Sequence, residues 1–302
     1  MLLSVIISTY NRPKMLKQAI ESVLAQNVSQ IEIIVVDDNS SEDNSFCIPL
    51  VSKYIKNKKN MGLGSNHKIG FAESSGEYVC FLDDDDYYTD NCFFSNVISC
   101  FENDSEITMI CASSNSIYEP SLRIEPVILN NPKIITCFEY LQGFGLRYKK
   151  PQSTFTTIFR RSSLIQAGFM KMLKPTDTSL YLRALTVDGN VCFINKCIGN
   201  YRIHEIQMTK GQKSDFIIEV LHEKKEIFNI VKHRLLTPNE WMYNQFRITF
   251  DYYCASYPLQ RDLNKVIKWS LAHFSGNLML LRYLLKIWFE NNIFVRHLRK
   301  VS

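Results

Sequence analysis

Apolar runs and amphipathic stretches alternate along the chain from its first residues. Leu2–Ser8 is nearly continuous in apolar and β-branched residues, as expected of a strand covered on both faces. Behind Pro13, which suits a first helical position, Leu16, Ala19, Ile20, Val23 and Leu24 recur at helical spacing. Ile31–Val36 predicts a second strand, closed by the polar cluster Asp37-Asp38-Asn39-Ser40-Ser41, which is expected to turn the chain into another helix. Tyr78–Leu82 predicts a third strand, cut off by four aspartates. Asp90 stands where it would cap a helix over 91–101, and 107–112 predicts a fourth strand. Strands alternating with helices predict an α/β fold, a doubly wound and mostly parallel sheet with helices on both faces. Residues 115–153 hold Pro120, Pro126, Pro132 and Pro151 and predict loops with one short helix, placed to shape a substrate cleft. Beyond 210 the pattern becomes helical, over 214–234, 238–256, 263–274 and 277–289. The expected division is a catalytic-type domain over 1–210 and a helical region over 211–302.

Composition narrows the class. Of 302 residues, 46% are hydrophobic and 22% charged, a globular mix rather than a disordered one. No uncharged apolar run reaches about 18 residues, so no spanning helix is expected. The first residues lack a basic leader and a small-residue cleavage site, so no signal peptide is expected. Nine cysteines, an odd number without a CxxC pair, predict reduced and mostly buried thiols in a cytoplasmic protein. The net charge of +5 is uneven: residues 1–209 carry 20 basic and 22 acidic side chains, residues 210–302 carry 15 and 8. A basic final third calls for an anionic partner or is a solvated helical face. Without a zinc pattern or a nucleic-acid-binding module, nucleic acid is not the expected partner.

The chemistry gathers at strand ends. In a doubly wound sheet, ligands bind beyond the carboxyl ends of the strands. Three polar clusters fall there: Ser8-Thr9-Tyr10-Asn11-Arg12, Asp37-Asp38-Asn39-Ser40, and Asp83-Asp84-Asp85-Asp86. Tyr10 offers a ring for a nucleobase, and Asp37 or Asp38 offers acceptors for base or ribose donors. Carboxylates repel phosphate but hold a divalent cation that bridges to it, and four aspartates after a buried strand are costly unless a cation compensates them. Neither GxGxxG nor GxxxxGK[ST] occurs, which argues against dinucleotide oxidoreductases and P-loop NTPases.

Three ordered blocks, SVIISTYNRPKMLKQAIESVLAQ, IEIIVVDDNSSED and NMGLGSNHKIGFAESSGEYVCFLDDDDYY, resemble the family 2 glycosyltransferases with the GT-A fold. Asp177-Thr-Ser-Leu-Tyr-Leu-Arg183 resembles that family's ED-x-(D/E)-L-W-x-R segment, and Tyr201-Arg-Ile-His204, with Thr209 after it, resembles its YRxH segment. The similarity covers roughly residues 2–210. It implies a metal-dependent inverting transfer of sugar from a nucleotide-sugar, a UDP-sugar by expectation, to a saccharide hydroxyl. Thr9, Tyr10, Asn11, Arg12, Asp37, Asp38, Lys68, Asp83 and Asp84 are implied donor contacts. Asp83, Asp85 and His204 are implied ligands of Mn²⁺ or Mg²⁺, and Asp177 is the implied general base. Two departures stand out: Thr176 replaces the acidic residue that often precedes the base, and Asn66-His67-Lys68 stands where relatives often have ARN. The basic, aromatic tail (Arg282, Lys286, Trp288, Phe289, Phe294, Arg296, Arg299, Lys300) predicts an interfacial helix or a dimer contact. Relatives with such tails extend undecaprenyl-diphosphate-linked saccharides of bacterial surface polysaccharides, which implies a site at the cytoplasmic face of the inner membrane. The rival readings are a nucleotidyltransferase and a non-catalytic module that kept the fold.

Overall fold

A computed structural model describes residues 2–204, 214–256, 263–274 and 276–301, with side chains described outside 253–256 and 290–301. The chain divides into two compact units, Met1–Glu205 and Ile206–Ser302.

The first unit opens with β1 (Leu3–Thr9), α1 (Pro13–Leu24), β2 (Ile31–Asp37), β3 (Lys53–Lys56), α2 (Leu63–Glu73), β4 (Tyr78–Asp83), β5 (Tyr87–Tyr88) and α3 (Phe93–Asn103). It continues through β6 (Ile107–Tyr118), β7 (Arg123–Val127), β8 (Ile134–Thr136), α4 (Cys137–Gly143), β9 (Thr157–Arg160), α5 (Arg161–Gln166), α6 (Asp177–Ala184) and β10 (Asn190–Ile203). Its sheet has ten strands in the order β3-β2-β1-β4-β9-β6-β10-β5, with β7 on β6 and β8 on β10. β3, β2, β1 and β4 run parallel, and every residue of β1 is buried, which accounts for its unbroken apolar run. α1 starts with Pro13 in its first turn and buries Leu16, Ala19, Ile20 and Val23. α2 lies so close to β1 that a Cβ on Gly70 would stand 2.2 Å from Ile6 Cγ2.

Several local expectations are corrected. Beyond Asp37–Ser41 the chain makes only a 3-10 turn over Ser45–Leu50, because Pro49 denies it a longer helix, and then enters β3. Asp90 is not the cap of α3: its Oδ1 accepts from Cys92 N at 3.0 Å in the turn before the helix, and its Oδ2 accepts from Lys196 Nζ at 2.8 Å. Residues 115–153 hold more order than loops and one helix: β6 runs on to Tyr118, and β7 and β8 follow. The sheet is also not parallel throughout. β9 is antiparallel to both β4 and β6, between which it lies, and only beyond it does the parallel pair β6–β10 resume.

The eight described cysteines are free, and five are buried. The second unit consists of α7 (Ser214–Val231), α8 (Pro238–Ser256), α9 (Leu263–His273) and α10 (Leu278–Val301). α7 packs on α8 and α9, and α10 packs on the same two helices. Ile217, Leu221, Phe246, Val266, Ile267, Leu280 and Leu284 form its buried interior. Among the described residues no helix is long and apolar enough to cross a membrane.

Candidate functional site

Register brings the polar clusters together. In the parallel ladders Thr9 pairs with Asp37 and Ser8 with Asp83, so β1, β2 and β4 end side by side. The loops are then cross-braced, since Asp38 N donates to Thr9 O at 2.9 Å and Asp84 N donates to Ser8 O at 3.2 Å.

Asp37 and Asp38 are both buried and hold the loops around them. Asp37 accepts from Ser40 N (2.7 Å), Asn44 Nδ2 (2.8 Å) and the Tyr54 hydroxyl (2.6 Å). Burial pulls its pKa upward, but those hydrogen bonds outweigh burial and hold the carboxyl below its ordinary value. Asp38 accepts from Asn57 Nδ2 (3.0 Å), Met61 N (2.7 Å) and Gly62 N (2.8 Å). Gly62 opens α2 at φ 82°, a left-handed conformation that suits glycine. The expected donor contact of Asp37 thus meets a fully enclosed carboxylate whose role in this structure is to brace the loops. Asn11 is likewise a connector, with Oδ1 accepting from Ser41 N (2.8 Å) and its own N donating to Ser40 Oγ (2.9 Å).

The aspartate run is different. Asp84 turns inward and accepts from Thr9 Oγ1 (2.7 Å), Tyr10 N (3.3 Å) and Arg12 Nη1 (2.9 Å). Its burial outweighs Arg12 and raises its pKa to about 7. Asp85 accepts from Arg12 Nη1 (2.6 Å) and lies 3.1 Å from His204 Nε2. Against burial, His204 and Arg12 hold its carboxyl below the usual value. Asp86 is fully buried, accepting from Ser153 Oγ (2.9 Å) and Arg202 N (3.2 Å). Burial first, then the charges of Asp85 and Asp83, drive its pKa well up. Asp83 Oδ1 is buried without a hydrogen-bond partner and lies 3.8 Å from His67 Nε2, which is also buried and without one. Ligand oxygens of Asp83, Asp85 and Asp86 lie within 4.8 Å of one another. A crowded carboxylate trio with an unpartnered buried oxygen fits a divalent cation, whose charge would relieve both the repulsion and the unmet acceptor. Tyr10 is 47% exposed at the rim of this edge.

Asp177 is the first residue of α6, and Thr176 before it is the cap: Thr176 Oγ1 accepts from Ser179 N while Ser179 Oγ accepts from Thr176 N at 2.8 Å. The residue that departs from the family pattern is thus the one that fixes the helix start and aims Asp177. Desolvation and the charge of Asp83 raise the Asp177 pKa to about 6, while Lys150 and His67 pull it down. Asp177 therefore shares an electrostatic environment with the aspartate run, although no hydrogen bond joins them.

Lys68 turns away. Its Nζ donates to Met172 O, so the basic side chain facing Asp83 is His67. One residue is a rotation of about 100° on a helix, enough to exchange the two. His67, Lys150, Ser153 and Arg202 join the site without having been given a role in it from sequence, and Asp86, read there only as a member of the aspartate run, stands with Asp83 and Asp85 in the carboxylate trio. Arg202 Nη1 donates to Asp85 O at 2.9 Å, and its placement beside His204 in the YRIH segment was the available signal. Thr209 lies outside the described residues.

The model of glycosyl transferase family 2 matches residues 4–169, more than half of the chain. The chain belongs to this family. A relative from Escherichia coli, UDP-Glc:alpha-D-GlcNAc-diphosphoundecaprenol beta-1,3-glucosyltransferase WfaP, is 31% identical over 220 residues, 72% of this chain and 83% of that one. A Campylobacter jejuni relative, GalNAc(5)-diNAcBac-PP-undecaprenol beta-1,3-glucosyltransferase, is 40% identical over 91 residues, 28% of this chain and 29% of its own length. An uncharacterised Nostoc glycosyltransferase is 43% identical over 94 residues, again 29% of its length, so these two relatives are matched over less than a third of their extent. Among solved structures, residues 1–349 of TarS from S. aureus in complex with UDP-GlcNAc superpose with a TM-score of 0.70 at 15% identity, covering 92% of this chain and 82% of that one. That likeness gives the GT-A fold.

Proposed function

We propose that this protein transfers a sugar from a UDP-sugar to a hydroxyl of a saccharide carried on undecaprenyl diphosphate, with inversion, at the cytoplasmic face of a bacterial inner membrane during surface-polysaccharide assembly. One observation carries the reading: Asp177 and Asp83 come from distant parts of the chain, yet the charge of Asp83 adds to burial in raising the Asp177 pKa. An inverting displacement needs that pairing, a base on the acceptor side and an acidic edge on the leaving-group side. The names of the E. coli and C. jejuni relatives support the class of donor and acceptor.

In this mechanism Tyr10 covers the base, while Asp38 and Gly62 keep the loop beside it in shape. Asp83, Asp85 and Asp86, with His204 beside Asp85, are the residues that would hold Mn²⁺ or Mg²⁺. When bound, the cation neutralises charge that grows on the departing diphosphate. Asp177 takes the acceptor hydroxyl's proton as the acceptor oxygen bonds to the anomeric carbon and the bond to UDP breaks. A pKa near 6 leaves Asp177 mostly ionised at neutral pH yet more basic than an ordinary aspartate. Arg12 holds Asp84 and Asp85 in place by a forked contact.

The test is product analysis with UDP-sugars, Mn²⁺ and undecaprenyl-diphosphate-linked GlcNAc. Release of UDP with an extended lipid-linked saccharide is expected. Pyrophosphate release would favour nucleotidyl transfer, and no turnover or donor hydrolysis would favour a binding module.

A further inference from the structure

On the footing of the transfer reaction proposed above, we propose that Lys150 holds the diphosphate of the lipid-linked acceptor and makes the acceptor side selective for a phosphorylated sugar. The backbone places it there. Asp177 and Tyr181 stand one turn apart on α6 and share a face of it. The buried Tyr181 ring lies 6.3 Å from that of Phe144, in a turn closed by Tyr148 N donating to Gly143 O at 3.0 Å. Lys150 follows two residues after Tyr148. Lys149 is clamped on both sides: its N donates to Asn131 Oδ1 at 3.1 Å, and its O accepts from Asn131 Nδ2 at 2.8 Å and from the Tyr140 hydroxyl at 2.9 Å. At the far end Ser153 Oγ donates to Asp86 Oδ2 at 2.9 Å. The stretch 149–153 thus runs from the Asp177 side of the site to the aspartate run, with both of its ends fixed.

The side chain on this fixed stretch is poorly engaged. Among the described residues, Lys150 Nζ makes one hydrogen bond, to the carbonyl of its neighbour Pro151, at a long 3.3 Å. The cations nearer the aspartate run are committed: Arg12 to Asp84 and Asp85, Arg202 to Asp85 O and Gln18. Surrounding protein desolvates the Lys150 ammonium and lowers its pKa against the pull of Asp177, although the residue is exposed. The cation therefore ends in a recess open to solvent rather than on a free surface. Chemistry names the anion. A base that takes a proton from an acceptor hydroxyl has the acceptor sugar against it. In a sugar carried on a lipid diphosphate, the first phosphate hangs from the anomeric carbon, across the ring from a hydroxyl such as O3. An ammonium beside Asp177 but not bonded to it is placed for that phosphate, and a neutral glycoside would leave it without a partner. The donor's own diphosphate belongs at the aspartate run, where the cation would meet it.

The test is calorimetric binding of two soluble ligands to the full chain in the presence of UDP and Mn²⁺. One is GlcNAc joined through a diphosphate to a short alkyl chain, the other the neutral alkyl glycoside of GlcNAc. The wild type should bind the diphosphate ligand about tenfold or more tightly than the neutral one, the scale of a hydrogen bond to a charged group. Lys150→Gln should erase that preference by weakening the diphosphate ligand alone, and Lys150→Arg should keep it. An unchanged melting temperature and unchanged UDP affinity show that the variants fold. Absence of the preference in the wild type would overturn the proposal, and so would a preference that survives Lys150→Gln. Loss of UDP affinity in Lys150→Gln would also overturn it, by giving the residue to the donor's diphosphate. Binding is read without turnover, so the two claims fail separately. Preference without transfer would sink the reaction and leave the Lys150 site standing, and transfer without preference would do the reverse.

Discussion

Two acidic turns flank the same central strand, and they are built in opposite ways. At the end of β2, Asp37 and Asp38 are each met by three neutral donors, and hydrogen bonding holds Asp37 below the ordinary pKa. At the end of β4, Asp83 keeps an unpartnered oxygen, and burial drives Asp84 and Asp86 upward. Neutral donors in sufficient number make a buried carboxylate a structural brace. Too few of them, with like charges adjacent, leave a group that a cation would stabilise. The contrast assigns stability to the first turn and, under the proposed function, donor chemistry to the second.

The largest effect separating the two should come from Asp85→Asn. Transfer should fall by about 10³-fold or more, the scale of losing a main charge-stabilising group, and Mn²⁺ should no longer raise the melting temperature in the presence of UDP. Melting without metal should hold or fall, because the ionised Asp85 that is lost is paired with Arg12 and His204. Next in size is Asp177→Asn, with turnover lowered about 10²–10⁴-fold and UDP affinity unchanged by calorimetry. Collapse of UDP affinity in that variant would move Asp177 into the donor site.

The pH profile sharpens the same point. With the Asp177 pKa raised to about 6, the base form is lost as pH falls through 6, so kcat/KM should decline about tenfold per unit below it and level off above. Asp177→Asn should flatten that limb.

Asp37→Asn reports on the brace. It should cost about 1–3 kcal/mol in urea unfolding, with UDP affinity of the folded protein close to wild type. Because the folded pKa of Asp37 is depressed, its stabilisation is complete above the unfolded value and is lost as pH falls through the folded one. The variant should therefore lose part of the acid limb of the stability curve. Smallest of all, Thr176→Ala should cost about 1 kcal/mol through its lost cap and lower turnover less than Asp177→Asn does.

Much of this was legible in residues 2–90, where strand ends and motif spacing coincide. An unbroken apolar run identifies β1, and the abrupt change to aspartate marks the edge. What escaped depends on contacts between distant segments. β9 is four residues long, and nothing local in Thr157–Arg160 says that it enters antiparallel between β4 and β6. The choice between His67 and Lys68 is a matter of helix phase against the sheet. The inward turn of Asp37 depends on Tyr54 and Asn44, which only the folded loop brings to it. The Thr176 cap, by contrast, was readable from Thr-x-x-Ser before an apolar pattern, and it explains why an acidic residue is not required there.

The most direct test of the contrast is UDP binding by calorimetry with and without Mn²⁺, for the wild type, Asp85→Asn and Asp37→Asn. The account predicts that Mn²⁺ strengthens UDP binding at least about tenfold, roughly 1.4 kcal/mol, in the wild type and in folded Asp37→Asn, and has no effect in Asp85→Asn. A UDP affinity in the wild type that neither Mn²⁺ nor EDTA changes would contradict it.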